Sequence, residues 1–126
     1  MTSTHKILIV DDSDVVRLYV KRLLEKQGFV VHEARNGVEG VELALRESYE
    51  LALVDINMAK MDGYEFVRTL RAEPNELDTP IIMVSSEHGE KDRQAAYQAG
   101  ANFYLVKPVK PDELMSLIHL TLQAAP

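Results

Sequence analysis

Cysteine is missing from all 126 residues. That absence excludes disulfides and thiolate metal sites, and it leaves no mark of a redox compartment. Positive charge is also in short supply: 14 Lys and Arg stand against 20 Asp and Glu, for a formal net charge of −6. A basic footprint for nucleic acid is therefore not expected. Long apolar runs are lacking too. The first one, KILIV at 6–10, meets Asp11 and Asp12 at once, so neither a signal peptide nor a membrane span is predicted. His5, His32, His88 and His119 are scattered without metal-ligand spacing and read as incidental. No linker, low-complexity segment or sequence repeat interrupts the chain. These absences leave the expectation of one cytoplasmic domain over residues 1–126, with no membrane and no nucleic acid among its partners.

What is present is ordinary globular composition, 46% hydrophobic and 27% charged, arranged with a regular beat. KILIV reads as a strand, and Val16, Tyr19, Val20, Leu23 and Leu24 then recur at helical spacing until Gly28. A second strand is expected over 29–34. Asn36-Gly37 turns into a helix whose apolar residues are Val38, Val41, Ala44 and Leu45. Strand three covers 51–54, and Asp62 or Gly63 opens a helix with Phe66, Val67 and Leu70 inward. The charges of Arg68, Arg71 and Glu73 read as that helix's exposed face. Strand four is IIMVS at 81–85, a more polar helix runs over about 91–98, and strand five spans 103–106. Pro111, Asp112 and Glu113 suit the first turn of a last helix. Five strands alternating with five helices predict an α/β fold, a five-stranded parallel sheet wound on both faces.

In such sheets ligands bind outside the carboxyl ends of the strands. Those ends carry Asp11-Asp12, Asp55, Ser85-Ser86 and Lys107-Pro108. Three acids packed together repel one another unless a cation intervenes. Their hard oxygen ligands suit Mg²⁺, with Mn²⁺ as a substitute. Carboxylates, a divalent metal, a hydroxyl and a lysine are the parts that neutralise and position a transferring phosphoryl group, and Asp55 can accept it as an acyl phosphate. Each part also has a bland reading. Asp11 and Asp12 could merely punctuate a strand before a helix capped by Ser13 or Asp14. Either serine could face the site, Lys107 could be a solvated loop lysine, and Tyr104 an ordinary core aromatic. Joint placement at the strand ends favours the chemical reading.

With DD at 11–12, Asp55 followed by MDG at 61–63, Ser85, and KP at 107–108, essentially the whole chain resembles the receiver domains of two-component response regulators, most of all the stand-alone chemotaxis type. The resemblance implies a flavodoxin-like sheet of order 2-1-3-4-5. It implies Asp55 as phosphoacceptor, and Asp12, Asp55 and the backbone carbonyl of Asn57 as Mg²⁺ ligands, with Asp11 acting through water. Ser85 and Lys107 would engage the phosphoryl oxygens, Tyr104 would be the aromatic switch, and Asn57 and Glu87 would tune loss of the phosphoryl group. Two positions depart from the family's habit: Met58-Ala59 stands where Met-Pro is frequent, and Val109 where phenylalanine is common.

Implied partners are a histidine kinase or histidine phosphotransfer domain, docking near Val15, Val16, Tyr19 and Lys21, and a downstream protein such as the flagellar motor switch. The latter would meet a face built from the fourth helix, fifth strand and fifth helix. The expected protein is a monomeric signalling switch, catalysing only its own phosphorylation and dephosphorylation. Alternatives are a receiver domain cut from a longer regulator or hybrid kinase, and a phosphorelay intermediate. From another class come a small Mg²⁺-dependent aspartate-nucleophile phosphatase, which places a second acid where Asn57 stands, and a flavin carrier, whose phosphate loop DDSD does not resemble.

Overall fold

The structure, a computed structural model, describes residues 5–76, 78–87 and 89–124. Five strands, β1 (Lys6–Val10), β2 (Val30–Ala34), β3 (Leu51–Asp55), β4 (Ile81–Ser85) and β5 (Phe103–Val106), alternate with α1 (Asp14–Lys26), α2 (Gly37–Arg46), α3 (Gly63–Arg71), α4 (Glu90–Ala99) and α5 (Pro111–Ala124). A short 3₁₀ turn, Pro74–Glu76, follows α3. The strands form one parallel sheet in the order β2-β1-β3-β4-β5, as expected. His88 lies outside the described residues.

Strand side chains alternate between two cores because successive Cβ atoms leave opposite faces of a sheet. Ile7, Ile9, Leu51, Leu53, Ile82 and Leu105 face α1 and α5, where Val20, Leu24, Leu114 and Ile118 cover them. Leu8, Val10, Val54, Ile81 and Met83 face the other side, against Ala44, Phe66, Val67, Leu70 and Ala96. Both faces being covered explains why the strands read as unbroken apolar runs rather than alternating ones.

Helix starts are local. The side chains of Ser13, Asn36 and Asp62 each accept a hydrogen bond from the backbone N–H three residues on, capping α1, α2 and α3. Gly63 is required by proximity: a Cβ there would lie 2.7 Å from the Asp55 carbonyl oxygen and 2.7 Å from the Ile56 Cα. Helix α3 thus starts directly against the end of β3. Its Phe66 ring fills the space beside Gly40, where a Cβ would lie 2.8 Å from a ring carbon.

That contact corrects the expected face of α2. Gly37, Gly40 and Ala44 are its buried residues, whereas Val38 and Leu45 are about half exposed. The helix is turned so that its smallest residues meet the bulky Phe66. Tyr19, expected on the inner face of α1, is 47% exposed. Arg71 is not simply solvated: its guanidinium donates to the Gly100 carbonyl and to the Asn102 side-chain oxygen, tying α3 to the turn before β5. Among the described residues no helix is long and apolar enough to cross a membrane.

Candidate functional site

Asp55 is the last residue of β3, at the centre of the sheet, and is 3% exposed. Asp11 follows the last residue of the neighbouring β1 and is 4% exposed, while Asp12 beside it is open to solvent. Carboxylate oxygens of Asp11, Asp12 and Asp55 lie within 4.8 Å of one another. From beyond the end of β5, Lys107 brings its Nζ to 2.9 Å from Oδ1 of Asp55 and 3.9 Å from Oδ2 of Asp11. The Lys107–Pro108 peptide is cis. The closer contact is an ion pair without hydrogen-bond alignment, and Oδ1 of Asp55 is left buried with no hydrogen-bond partner.

Burial pushes the Asp55 carboxyl above the ordinary carboxylate range, against the pull of Lys107 and the Asn57 backbone N–H, with Asp12 adding to the rise. Asp11 is pushed up in the same way, first by burial and then by Asp55, while the Ser13 N–H bonded to its Oδ1 at 2.8 Å works in the opposite direction. Two buried carboxyls with raised pKa values beside a third acid form a site short of positive charge.

The donor set fits a hard divalent cation: three carboxylates of different exposure converge, and the buried Asp55 Oδ1 has only the Lys107 ammonium beside it. Asp11, Asp12 and Asp55 are the residues whose oxygens converge to hold such an ion.

Ser85 ends β4 and is 1% exposed, whereas Ser86 is on the surface. Burial therefore decides which serine faces inward. Its Oγ accepts from the Glu87 backbone N–H at 3.1 Å. Tyr104, in the middle of β5 and 5% exposed, donates its hydroxyl to the Glu87 carbonyl at 2.6 Å. Arg93 of α4 covers the ring, its guanidinium carbon 5.2 Å from the centroid. Ser85 and Tyr104 therefore meet on one backbone unit, with the Glu87 side chain exposed beside it. The Tyr104 ring is thus buried, with a hydrogen bond at its hydroxyl and a cation over its face.

One feature, Arg17, is not anticipated from the sequence. Arg17 of α1 is 6% exposed and donates to the Asp11 backbone carbonyl at 2.6 Å. Its signal is its spacing, three before Val20 and seven before Leu24 on the buried face. Beside the pocket lies an apolar groove of about 590 Å³, lined by Val15, Val16, Tyr19, Val20, Lys107, Pro108 and Val109; the first three are among the residues named from the sequence as a docking region. Among the described histidines, none joins the acid pocket: His32 Nδ1 sits 2.7 Å from the Tyr49 hydroxyl and 3.3 Å from Glu47, His5 lies 3.7 Å from Glu50, and His119 is exposed.

Residues 7–119 match the family model of the response regulator receiver domain. The chain is 38% identical over 120 residues to the transcriptional regulatory protein SrrA of Staphylococcus aureus, covering 95% of this chain and 48% of that protein. It thus spans about half the length of the curated relatives it matches. The solved chemotaxis protein CheY4 of Vibrio cholerae superposes with a TM-score of 0.91 at 32% identity, covering 95% of this chain and all of that one. The receiver domain of the sensor histidine kinase PA1611 from Pseudomonas aeruginosa, solved with a magnesium ion coordinated in its active-site cleft, superposes with a TM-score of 0.90 at 31% identity, over 97% of this chain and all of that one.

Proposed function

The chain belongs to the response regulator receiver domain family, and from that premise we propose that it is a phosphorylation switch whose acceptor is Asp55. The observation that carries this reading is the buried Oδ1 of Asp55, without a hydrogen bond and 2.9 Å from Lys107, at the meeting point of three carboxylates. A receiver domain implies a histidine kinase partner. The carboxylate attacks the phosphorus of a phosphohistidine; an O–P bond forms, the P–N bond breaks, and the electron pair leaves on the imidazole nitrogen, which takes up a proton. Lys107 neutralises the developing oxyanion, and Ser85, whose Oγ accepts from the Glu87 N–H, donates its O–H to a phosphoryl oxygen. Asp12, Asp55 and the Asn57 carbonyl would hold Mg²⁺ (or Mn²⁺), with Asp11 assisting through water. When bound, the ion supplies positive charge between the acids and the phosphoryl oxygens.

The phosphodonor docks on the groove beside Lys107. Val15, 77% exposed, and Tyr19 present apolar surface on the side from which an in-line histidine reaches Asp55. Loss of the phosphoryl group is tuned by Asn57 and Glu87, both exposed beside the pocket. Output passes through Tyr104, and the target reads the face of α4, β5 and α5. A chemotaxis-type role is supported by the likeness to CheY4, which superposes over 95% of this chain and all of its own. A second reading, a receiver segment of a longer regulator, is favoured by the half-length match to SrrA. For this acidic segment itself we propose no nucleic-acid contact.

Intact mass spectrometry after incubation with acetyl phosphate and Mg²⁺ tests the switch. A single labile adduct that is absent from Asp55→Asn is expected, and an adduct formed at the wild-type rate on Asp55→Asn refutes the assignment. Capture of partners by phosphorylated and unphosphorylated protein then separates the two output readings.

A further inference from the structure

We infer that Arg17 is a positioning residue of the acid pocket, orienting the Asp11–Asp12 peptide so that the pocket can take its divalent cation; this rests on the cation reading of that pocket. A buried arginine on the inner face of a helix requires an explanation, because an unpaired charge there is costly. Three of its nitrogens are engaged. Nη1 donates to the Asp11 carbonyl at 2.6 Å, Nε to Glu33 Oε1 at 3.1 Å, and Nη2 to Asp14 Oδ1. Its charge is thus taken up by Asp14 and Glu33, and what it delivers to the pocket is geometry.

Asp11 is pinned at every polar group that faces away from the site. Its N–H donates to the Ala34 carbonyl at 3.1 Å, its Oδ1 accepts from Ser13, and its carbonyl accepts from Arg17. The carbonyl bond sets the plane of the peptide that leads into Asp12, the exposed acid of the cluster. Without it that plane is free to turn, and the Asp12 carboxylate no longer stands at a set distance from Asp55. Lysine in place of Arg17 retains the charge but lacks a planar fork able to meet three acceptors.

Isothermal calorimetry with Mg²⁺ tests this on wild type, Arg17→Lys and Arg71→Lys. The last disrupts another multiply bonded guanidinium, far from the acids, and reports what mere destabilisation does to affinity. The affinity of Arg17→Lys is expected to fall about tenfold, as for loss of a group that orients a metal ligand, and Arg71→Lys to bind as wild type. The deficit should persist at raised ionic strength, since orientation is not screened. Equal binding by wild type and Arg17→Lys overturns the inference while leaving the cation site standing. Absence of saturable binding by wild type overturns both. Should Arg17→Lys fail to fold, Glu33→Gln carries the test: Glu33 lies at the sheet edge with its side chain 33% exposed, and its loss loosens the fork. A Mg²⁺ affinity unchanged from wild type in that variant overturns the proposal.

Discussion

The carboxyl edge of this sheet has two halves built on opposite principles. At the ends of β1 and β3, like charges are crowded: Asp11 and Asp55 are buried, both are pushed upward in pKa, and one oxygen is left unbonded. At the ends of β4 and β5 the groups are neutral and satisfied, with Ser85 and Tyr104 both bonded to the backbone of Glu87. The acid half holds unfavourable electrostatics that an incoming cation relieves. The hydroxyl half holds hydrogen bonds already made, with the Ser85 O–H still able to donate. Lys107 joins them, following β5 in the chain and meeting the acids by contact. Such a division suits a receiver whose chemistry and readout must be coupled without being the same residues.

The largest effect expected from breaking the acid half is chemical. Asp55→Asn keeps the shape and removes the nucleophile, so phosphoryl uptake from acetyl phosphate should fall by roughly 10³-fold or more; adduct formation followed by mass spectrometry reads it. Next in size, Lys107→Met leaves two buried carboxylates without their cation. In metal-free buffer it should lower stability by about 2 kcal/mol, and Mg²⁺ should restore part of that. Urea unfolding with and without the ion checks both statements.

A pH series sharpens the comparison. Carboxyls whose folded pKa is raised favour the folded state while protonated. Their contribution is fully present below the unfolded value of about 3.9 and is lost as pH rises through the folded values. Stability of the metal-free protein should therefore carry a component that declines from about pH 4 upward, and Asp11→Asn should flatten it. Melting temperatures against pH in chelator measure the slope, and a steeper decline in Asp11→Asn would contradict this account. Smallest of all, Tyr104→Phe removes one hydrogen bond of the neutral half at a cost of about 1 kcal/mol. It should leave phosphorylation of Asp55 within about twofold, well inside 1 kcal/mol of barrier. Tyr104→Ala should weaken the phosphorylation-dependent gain in target affinity, and retention of the full gain would remove Tyr104 from the switch.

Element order and the strand-end residues were legible because both are properties of neighbouring residues. Five apolar runs, three capping side chains and the glycine of MDG announce themselves within a few positions, and β2 is shorter than expected by only Phe29. Helix rotation was less legible. Val38 and Leu45 carry the apolar signal of α2, yet Gly40 and Ala44 face the core because Phe66, from α3, needs the room.

By itself the sequence determined the βα alternation, the burial of the strands on both faces and the convergence of acids, hydroxyl and lysine on one edge, since each follows from local pattern and the geometry of a parallel sheet. Tertiary structure alone decided that Arg17 is buried against the Asp11 carbonyl and that Ser85 and Tyr104 share Glu87. The reason is physical. Hydrogen bonds to backbone carbonyls and N–H groups carry no residue signature at the accepting or donating position. The turn of a helix about its own axis is settled by partners distant in the chain.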